Sequence, residues 1–465
     1  MNEFMASLRE IQFLNLSHNP YLTVARIPRF LKVLVEIDLS FTSVHTVEIA
    51  PLLHLSIFNL RGTNVSNLRP RLFPNGMSIG TLDLRLIPNI AFSLESFSGV
   101  NITTLLADTY KLCCPKLHRW LKSCQAPMDP FSSCSDLVGG LYMRVLLWVI
   151  GATAFLGNLV VFISRLRHQR SPVRMAYWYF VAHLHIADFF MGIYLLIIAS
   201  ADIYYRNDYF LHEAGWKHGP VCKLAGFLST ASSEISMFFI LLITLDRFLV
   251  IKFPFGQYRI SGRYIHVLSA LAWLLGLSIA MLPFLPPFQH WHAYNFDGVC
   301  LGLPLGDSSV PGFQFSLAIF VFLNLFLFLL IAVGQLVIYR ALVEVRKSVA
   351  NQTSSSAMRR AQDVEISRRL FLVAATDFAC WFPVGIMGLI SMAGHQLGYQ
   401  FYVWSAILIV PINSAINPFM YNLVYIIDTG TGVKLKDLKQ QGAKGTIMLS
   451  PLEILQMSVL TISIH

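Results

Sequence analysis

Seven long apolar runs between residues 145 and 427 constrain this chain more than any other feature. A helix rises about 1.5 Å per residue, so about 20 apolar residues cross a roughly 30 Å hydrocarbon core. Each run reaches that length: Val145–Ser164, Met175–Ala201, Leu224–Ile251, Ile265–Phe288, Val310–Tyr339, Leu370–Ala393 and Phe401–Ile427. They are continuously apolar and do not alternate with period two, which selects helices over a barrel. Acidic and basic side chains inside them are few: Asp188 in the second, Glu234, Asp246 and Arg247 in the third, and Asp377 in the sixth. With 55% hydrophobic and 13% charged residues, the chain reads as an integral membrane protein and not as a soluble enzyme.

The net charge of +10 is distributed by loop, which argues against nucleic acid as a partner. The gap after the first run carries Arg165, Arg167, Arg170 and Arg174, and the gap after the third carries Lys252, Arg259 and Arg263. Arg340 to Arg369 is basic as well, whereas the alternate gaps hold Asp202, Asp208, Glu213, Asp297 and Asp307 against Arg206 and Lys217. The positive-inside rule makes the basic gaps cytosolic. A multi-pass plasma-membrane protein follows, with its N-terminus extracellular and its C-terminus cytoplasmic.

Ahead of the first run, residues 1–112 repeat the pattern apolar-x-x-apolar-x-apolar. The units are Ile11, Leu14, Leu16; Leu34, Ile37, Leu39; Leu55, Phe58, Leu60; Ile79, Leu82, Leu84; and Ile102, Leu105, Ala107, whose third members are spaced by 23, 21, 24 and 23 residues. That is the period of leucine-rich repeats, an α/β solenoid in which each unit buries its leucines against its neighbours and adds one parallel strand. Asn19 fills the asparagine position of the first unit, and Thr42, Thr63, Ile87 and Tyr110 replace it in the others. Such an array captures protein ligands on its concave face; the plainer reading is an adhesion stalk. Neither a signal peptide nor a cysteine-rich N-terminal cap is visible, so the chain is expected to begin inside a longer ectodomain, or the first span acts as its own insertion signal.

Sequons at Asn15, Asn64 and Asn101 fit an ectodomain open to glycosylation. Cys113, Cys114, Cys124 and Cys134 cluster in a hinge over residues 113–141, where four cysteines outside the cell read as two disulfides and a zinc site is the alternative. The adjacent pair is expected to bond to the two later cysteines. Cys222 and Cys300 bracket an outer loop that a third bridge would pin over the bundle mouth, leaving Cys380 reduced in the sixth run.

An ionised group at bilayer depth normally faces the protein interior. Asp188 has Asn158, Ser236, Asn413, Ser414 and Asn417 as candidate neighbours, either as the hard-oxygen shell of a bound sodium ion or as a structural hydrogen-bond network. Arg247 lies 25 residues after Cys222, about 37 Å of helix, and so reaches the cytosolic edge. Asp246 and Asp363 are its candidate partners, an Arg247–Asp363 pair clamping two helices together; the plainer reading is snorkelling towards headgroups. Pro383 and Pro418 interrupt the last two runs and allow hinges.

Assembled, these residues resemble a class A G-protein-coupled receptor, a membrane all-α bundle of seven transmembrane helices. The marks are Gly157-Asn158, Leu184 with Ala187-Asp188, Asp246-Arg247-Phe248, Trp273, Cys380-Trp381-Phe382-Pro383, and Asn417-Pro418 with Tyr421. Asp377 in Thr376-Asp377-Phe378-Ala379-Cys380-Trp381, the Ser233-Glu234-Ile235-Ser236 stretch, the absent proline in the fifth run and the hinge Cys113-Cys114 with Asp129-Pro130-Phe131-Ser132-Ser133-Cys134 are similar to leucine-rich-repeat hormone receptors. The short hinge resembles the relaxin-receptor branch, and Ile198 to Tyr204 the glycoprotein-hormone branch.

The resemblance implies a receptor domain over residues 142–427 and a peptide or protein hormone held by the repeats and hinge. Trp381 and the contacts of Asp377 with Asn413 and Asn417 would then rearrange, and the sixth helix would swing outward. Arg247 would be freed for a heterotrimeric G protein, with Tyr339 and Tyr421 closing behind it. Asp363→Asn should raise ligand-free signalling. No cofactor beyond the sodium candidate is implied.

The tail, residues 428–465, departs from the family: Asp428-Thr429-Gly430-Thr431-Gly432 interrupts where an amphipathic helix is usual, and Lys434, Lys436 and Lys439 are left for contact with membrane lipid. A transporter would show inverted repeats around broken helices, and none is visible. A non-signalling decoy or adhesion receptor is the harder alternative. No nucleophile–base–acid set or phosphate loop supports an enzyme.

Overall fold

A parallel β-sheet grows along the first 125 residues because each repeat returns its apolar triplet to the same place. In the computed structural model, residues 10–420 are described, apart from 29–30, 32, 50–53, 66–67, 69–72, 88–89, 119–120, 128–133, 168–174, 254–257, 292, 296, 303–311, 350–354, 394 and 396–403. The side chains of residues 342, 344–369 and 406–407 also lie outside the described set.

The six-stranded sheet runs β1 (Phe13–Asn15), β3 (Glu36–Asp38), β5 (His54–Asn59), β6 (Ser78–Asp83), β7 (Asn101–Leu106) and β8 (Ser123–Gln125). Register aligns the middle member of every triplet: Leu14, Ile37, Phe58, Leu82 and Leu105 stand side by side, and Cys124 continues the row. β8 is a sixth unit that the sequence hides, with Leu121, Cys124 and Ala126 packed against the same core. A separate pair, β2 (Val24–Ile27) and β4 (Thr46–Ile49), is also parallel.

The turns after β1, β3, β5 and β6 use the same chemistry. The side-chain oxygens of Asn15, Asp38, Asn59 and Asp83 accept the backbone N–H two residues on, at 2.9, 2.8, 3.1 and 3.0 Å. These are Asx turns, which stand in for a backbone hydrogen bond. The chain then enters the left-handed region at His18, Phe41, Gly62 and Leu86, with φ of 56°, 55°, 66° and 58°. Thr42 and Thr63, where asparagine was expected, donate their hydroxyls to the carbonyls of Leu39 and Leu60 at 2.7 and 2.8 Å. The substitution thus preserves the turn bond.

The bundle comprises α1 (Leu141–Arg167), α2 (Met175–Tyr204), α4 (Pro220–Lys252), α5 (Arg263–Met281), α6, α7 (Ser355–Met392) and α8. α6 begins as an α-turn (Phe313–Ser316), widens to a π-helix (Leu317–Leu323) and continues as an α-helix (Asn324–Val349). α8 has a π-helical entry (Ser405–Ile409) before Val410–Pro418. A short helix, α3 (Tyr209–His218), lies between α2 and α4. The fourth apolar run ends its α-helix at Met281 and continues as 3-10 turns, because Pro283, Pro286 and Pro287 each lack the N–H that an α-helix needs.

Among the described residues, five helices are by themselves long and apolar enough to cross a membrane. α4 carries Ser229, Thr230, Ser232, Ser233, Glu234 and Ser236 in its middle, all buried. It tolerates them by being the axis of the bundle, packed on α2, α5, α6 and α7. The lipid-ready surface falls on the outer helices, where Leu156, Leu274 and Phe326 are more than half exposed. α1 and α2 approach so closely that a Cβ on Gly192 would lie 2.4 Å from the Phe155 nitrogen.

Candidate signal-transmission site

Polar and aromatic contacts gather at the solenoid end, in the middle of the bundle and at its far end. At the solenoid end, disulfides Cys113–Cys124 and Cys114–Cys134 join the 3-10 turn Tyr110–Cys113 to β8 and to the segment entering α1. Each cysteine of the adjacent pair thus bonds to one of the two later cysteines, and the structure adds which to which. Against that turn lies α3. Its Phe210, 2% exposed, belongs to the solenoid core together with Leu112 and Leu117, and stacks on Phe92 at 6.4 Å. Glu213, one turn on, accepts from Lys111 Nζ at 2.9 Å, Lys217 Nζ at 2.6 Å and the Tyr110 hydroxyl at 3.2 Å. Lys116 pairs with Asp208 at 2.7 Å nearer solvent.

Behind this seam, Asp202 at the end of α2 accepts the Val138 N–H at 2.8 Å and Arg144 Nε at 2.5 Å, tying the hinge exit to α1 and α2. Cys222–Cys300 holds the loop after α5 to the start of α4, and Trp216 of α3 donates to the Gly298 carbonyl at 2.7 Å. Sequence reasoning counted Glu213 only as loop charge and missed Phe210. The one available signal was an apolar pair, Phe210-Leu211, in an otherwise polar loop.

In the middle of the bundle Asp188 is wholly buried. Its Oδ1 accepts the Ser236 and Ser414 hydroxyls at 2.8 and 2.9 Å, and its Oδ2 accepts the Asn417 amide at 2.7 Å. Asn413 and Asn158, expected in the same shell, go elsewhere. Asn413 donates to Asp377 Oδ1 at 2.6 Å, and Asn158 donates to the Ser414 carbonyl at 2.9 Å while its oxygen meets His185 Nδ1 at 2.7 Å. Asn413 and Asn417 are one helical turn apart on one face of α8, so they serve two acids at two depths. Trp381 stacks on Phe320 at 6.2 Å, and Pro418 fills the space beside Gly157.

At the far end Arg247 is 1% exposed. It folds back on Asp246, with Nε at 3.0 Å and Nη2 at 2.5 Å from Oδ2, and its guanidinium lies 4.9 Å from the Tyr177 ring centre. Burial with an acid and an aromatic face replaces the snorkelling arrangement. The Asp363 side chain and Tyr421 lie outside the described residues. Tyr339 is 64% exposed. Asn15, Asn64 and Asn101 are all exposed. Among the described residues no cluster of three or more His, Cys, Asp or Glu could hold a metal ion.

A solenoid fixed to a seven-helix bundle with a buried Asp-Arg pair at its far end defines a membrane receptor architecture. The chain matches the family described as "7 transmembrane receptor (rhodopsin family)" over residues 157–421, and it belongs to that family. It is 38% identical to the G-protein coupled receptor GRL101 of Lymnaea stagnalis over 70% of this chain and 28% of that protein. It is 30% identical to relaxin receptor 2 of Canis lupus familiaris over 72% of this chain and 45% of that protein. The thyrotropin receptor of Sus scrofa is 30% identical over 64% of this chain and 37% of that protein. The chain therefore spans less than half the length of each of these relatives. Squid rhodopsin shares the fold, with a TM-score of 0.51 at 18% identity over 66% of this chain and 93% of that one.

Proposed function

We propose that this chain is a plasma-membrane receptor for a peptide or protein hormone, coupled to a heterotrimeric G protein. Residues 1–112 form its ligand-capturing ectodomain, 113–141 the hinge, 142–427 the transducing bundle and 428–465 a cytoplasmic tail. An extracellular N-terminus is supported by the basic loops between α1 and α2 and between α4 and α5. Relatives named as relaxin and thyrotropin receptors support a protein hormone of that kind.

The observation that carries this reading is the seating of Phe210 in the solenoid core. Ligand that strains the solenoid or hinge pulls on α3, and α3 is continuous in sequence with α2 and α4, whose polar middles meet at Asp188. Outward movement of α7 would part Asp377 from Asn413 and open the far end, so that Arg247 leaves Asp246 and receives the G protein. Hormone and G protein each favour the open arrangement, so each raises the other's affinity. A sodium ion at Asp188 would draw on the carboxylate and the Ser236 and Ser414 hydroxyls, displacing the Asn417 amide.

The test is second-messenger output in cells that display the chain and are exposed in turn to insulin-like and cystine-knot hormones. A response lost in Arg247→Ala supports the reading. Saturable hormone binding with no G-protein activation would leave a decoy or adhesion receptor instead.

A further inference from the structure

A cavity of about 450 Å³ opens where the end of α3, the first turn of α4 and the loop after α5 come together. That volume is within the range of small-molecule sites. Its floor is aromatic: Phe284 lies 6.3 Å from Phe227 of α4 and 5.4 Å from Tyr294. Gly226 admits the Tyr294 ring against α4, since a Cβ there would lie 2.4 Å from the ring carbon Cδ1. The Tyr294 hydroxyl donates to the Ala280 carbonyl at 2.8 Å, and the Cys222–Cys300 bridge, next to Lys223, closes the same loop onto α4. The walls are thus fixed on two helices before any ligand arrives.

Among the described residues the polar lining holds Lys223, His218 and His290 with the amides of Gln289 and Asn295, and no acid. Asp297, further along the loop, is buried and accepts the Leu301 N–H at 3.0 Å. Other cations at this end of the bundle are matched: Lys111 and Lys217 by Glu213, Lys116 by Asp208, and Arg144 by Asp202. Lys223 is half-buried in the cavity wall and has no acidic partner among the described residues. The set calls for an anion.

Depth decides what that anion is part of. Arg263–Phe284 is an apolar span of 22 residues, enough to cross the hydrocarbon core, so Phe284 marks the core's surface. The cavity built on Phe284 therefore sits at headgroup level. Leu224, beside Lys223, and Met281 and Leu285, on either side of Phe284, are exposed and apolar. A soluble anion would use the cationic lining alone, whereas a phospholipid uses both surfaces.

We propose that this cavity holds the headgroup of an anionic phospholipid, with Lys223 and His290 on the phosphodiester, Gln289 and Asn295 on headgroup hydroxyls, and acyl chains along Leu224, Met281 and Leu285. A headgroup with its own ammonium, as in phosphatidylcholine, brings a second cation towards Lys223. An uncharged polyol, as in phosphatidylglycerol, does not, and is preferred. The site needs the bundle to lie in a bilayer and nothing of the signalling proposed above; only the choice of the outer leaflet rests on the orientation given there.

Native mass spectrometry of the whole chain in detergent micelles, with phosphatidylglycerol, phosphatidylcholine or inorganic phosphate added, reads the site without hormone or G protein. One phosphatidylglycerol should be retained per chain, more tightly than phosphatidylcholine. Its apparent Kd should rise about fivefold in Lys223→Gln, the value of one basic contact at a membrane surface, and rise in His290→Ala as well. Lys252→Gln, at the opposite end of α4, should leave it unchanged. Should K223Q lack a thermal unfolding transition, H290A, at an exposed position outside the helices of the bundle, carries the test. An equal loss in K252Q would reduce the effect to diffuse attraction between charges and overturn the site. Equal retention of the two lipids, or a Lys223-dependent adduct of inorganic phosphate with no lipid retained, overturns the phospholipid.

Discussion

Phe210→Ala isolates the seam between solenoid and bundle. Phe210 is 2% exposed and sits among Leu112, Leu117 and Cys114, all of which belong to the solenoid. Truncating a buried phenylalanine costs about 3–5 kcal/mol, and its stack on Phe92 at 6.4 Å is part of that sum. The ion cluster at Glu213 survives the change, but its lysines are 22% and 11% exposed and can rehydrate once α3 lifts. The lower bound of about 3 kcal/mol therefore applies, which corresponds to about two decades in the local opening equilibrium. Hydrogen exchange of the full-length receptor in nanodiscs, read on peptides covering Tyr209–His218 and Tyr110–Cys113, should accelerate about 100-fold, while strands β3 and β5 stay protected. Ala214→Ser, at an exposed position of the same helix, is the control. Unchanged protection of α3 in F210A would mean that the seam is held by charge alone, and hormone response should then survive as well.

His118 gives the solenoid a pH limit. Burial lowers its pKa below the ordinary value of 6.5, against the opposing hydrogen bond to the Leu112 carbonyl at 2.6 Å. The unfolded segment therefore binds more protons, so the stability contributed by the neutral ring is present above pH 6.5 and is lost as pH falls towards the folded pKa, by at most about 1.4 kcal/mol per unit. Exchange protection around Phe97 and Leu112, corrected for intrinsic rates, should drop on acidification and become flat in His118→Phe; an equal drop in that variant refutes the assignment. Asn417→Ala removes the amide at 2.7 Å from Asp188 and should lower receptor stability by about 1–3 kcal/mol, read as the thermal midpoint in detergent, and an unaltered midpoint argues that water replaces the amide at no cost. Gly192→Ala places a methyl 2.4 Å from the Phe155 nitrogen, so α1 and α2 must part and surface expression should fall; native-level expression and melting would show that the interface yields.

What could be read from the chain, and what could not, follows from the range of each interaction. The apolar runs and the repeat triplets are local and periodic, so they named a seven-helix bundle and a solenoid before any coordinate was known. The Asx turns were equally periodic but fall on positions that a leucine pattern ignores, and Cys124 was read as a disulfide partner although it also holds the central place of the sixth triplet. Side-chain partnerships across the bundle were harder. Asp188 was found because a charge in lipid is costly, yet its neighbours could only be guessed from depth, and depth does not say which way a helix face turns. Asn413 and Asn417 share a face of α8 and part company because α7 offers Asp377 to one and α2 offers Asp188 to the other. The seam at α3 was least legible of all: ten residues of mixed polarity carry no long pattern, and Glu213 meets Tyr110 across 103 positions of chain. That same mixture is what the seam demands, since one face must enter an apolar core while Glu213 on the next turn pairs with two lysines. A purely apolar α3 would bind the solenoid without releasing it, whereas one apolar anchor beside a partly hydrated ion cluster leaves an interface of a few kcal/mol, within reach of the strain that the proposed hormone would impose.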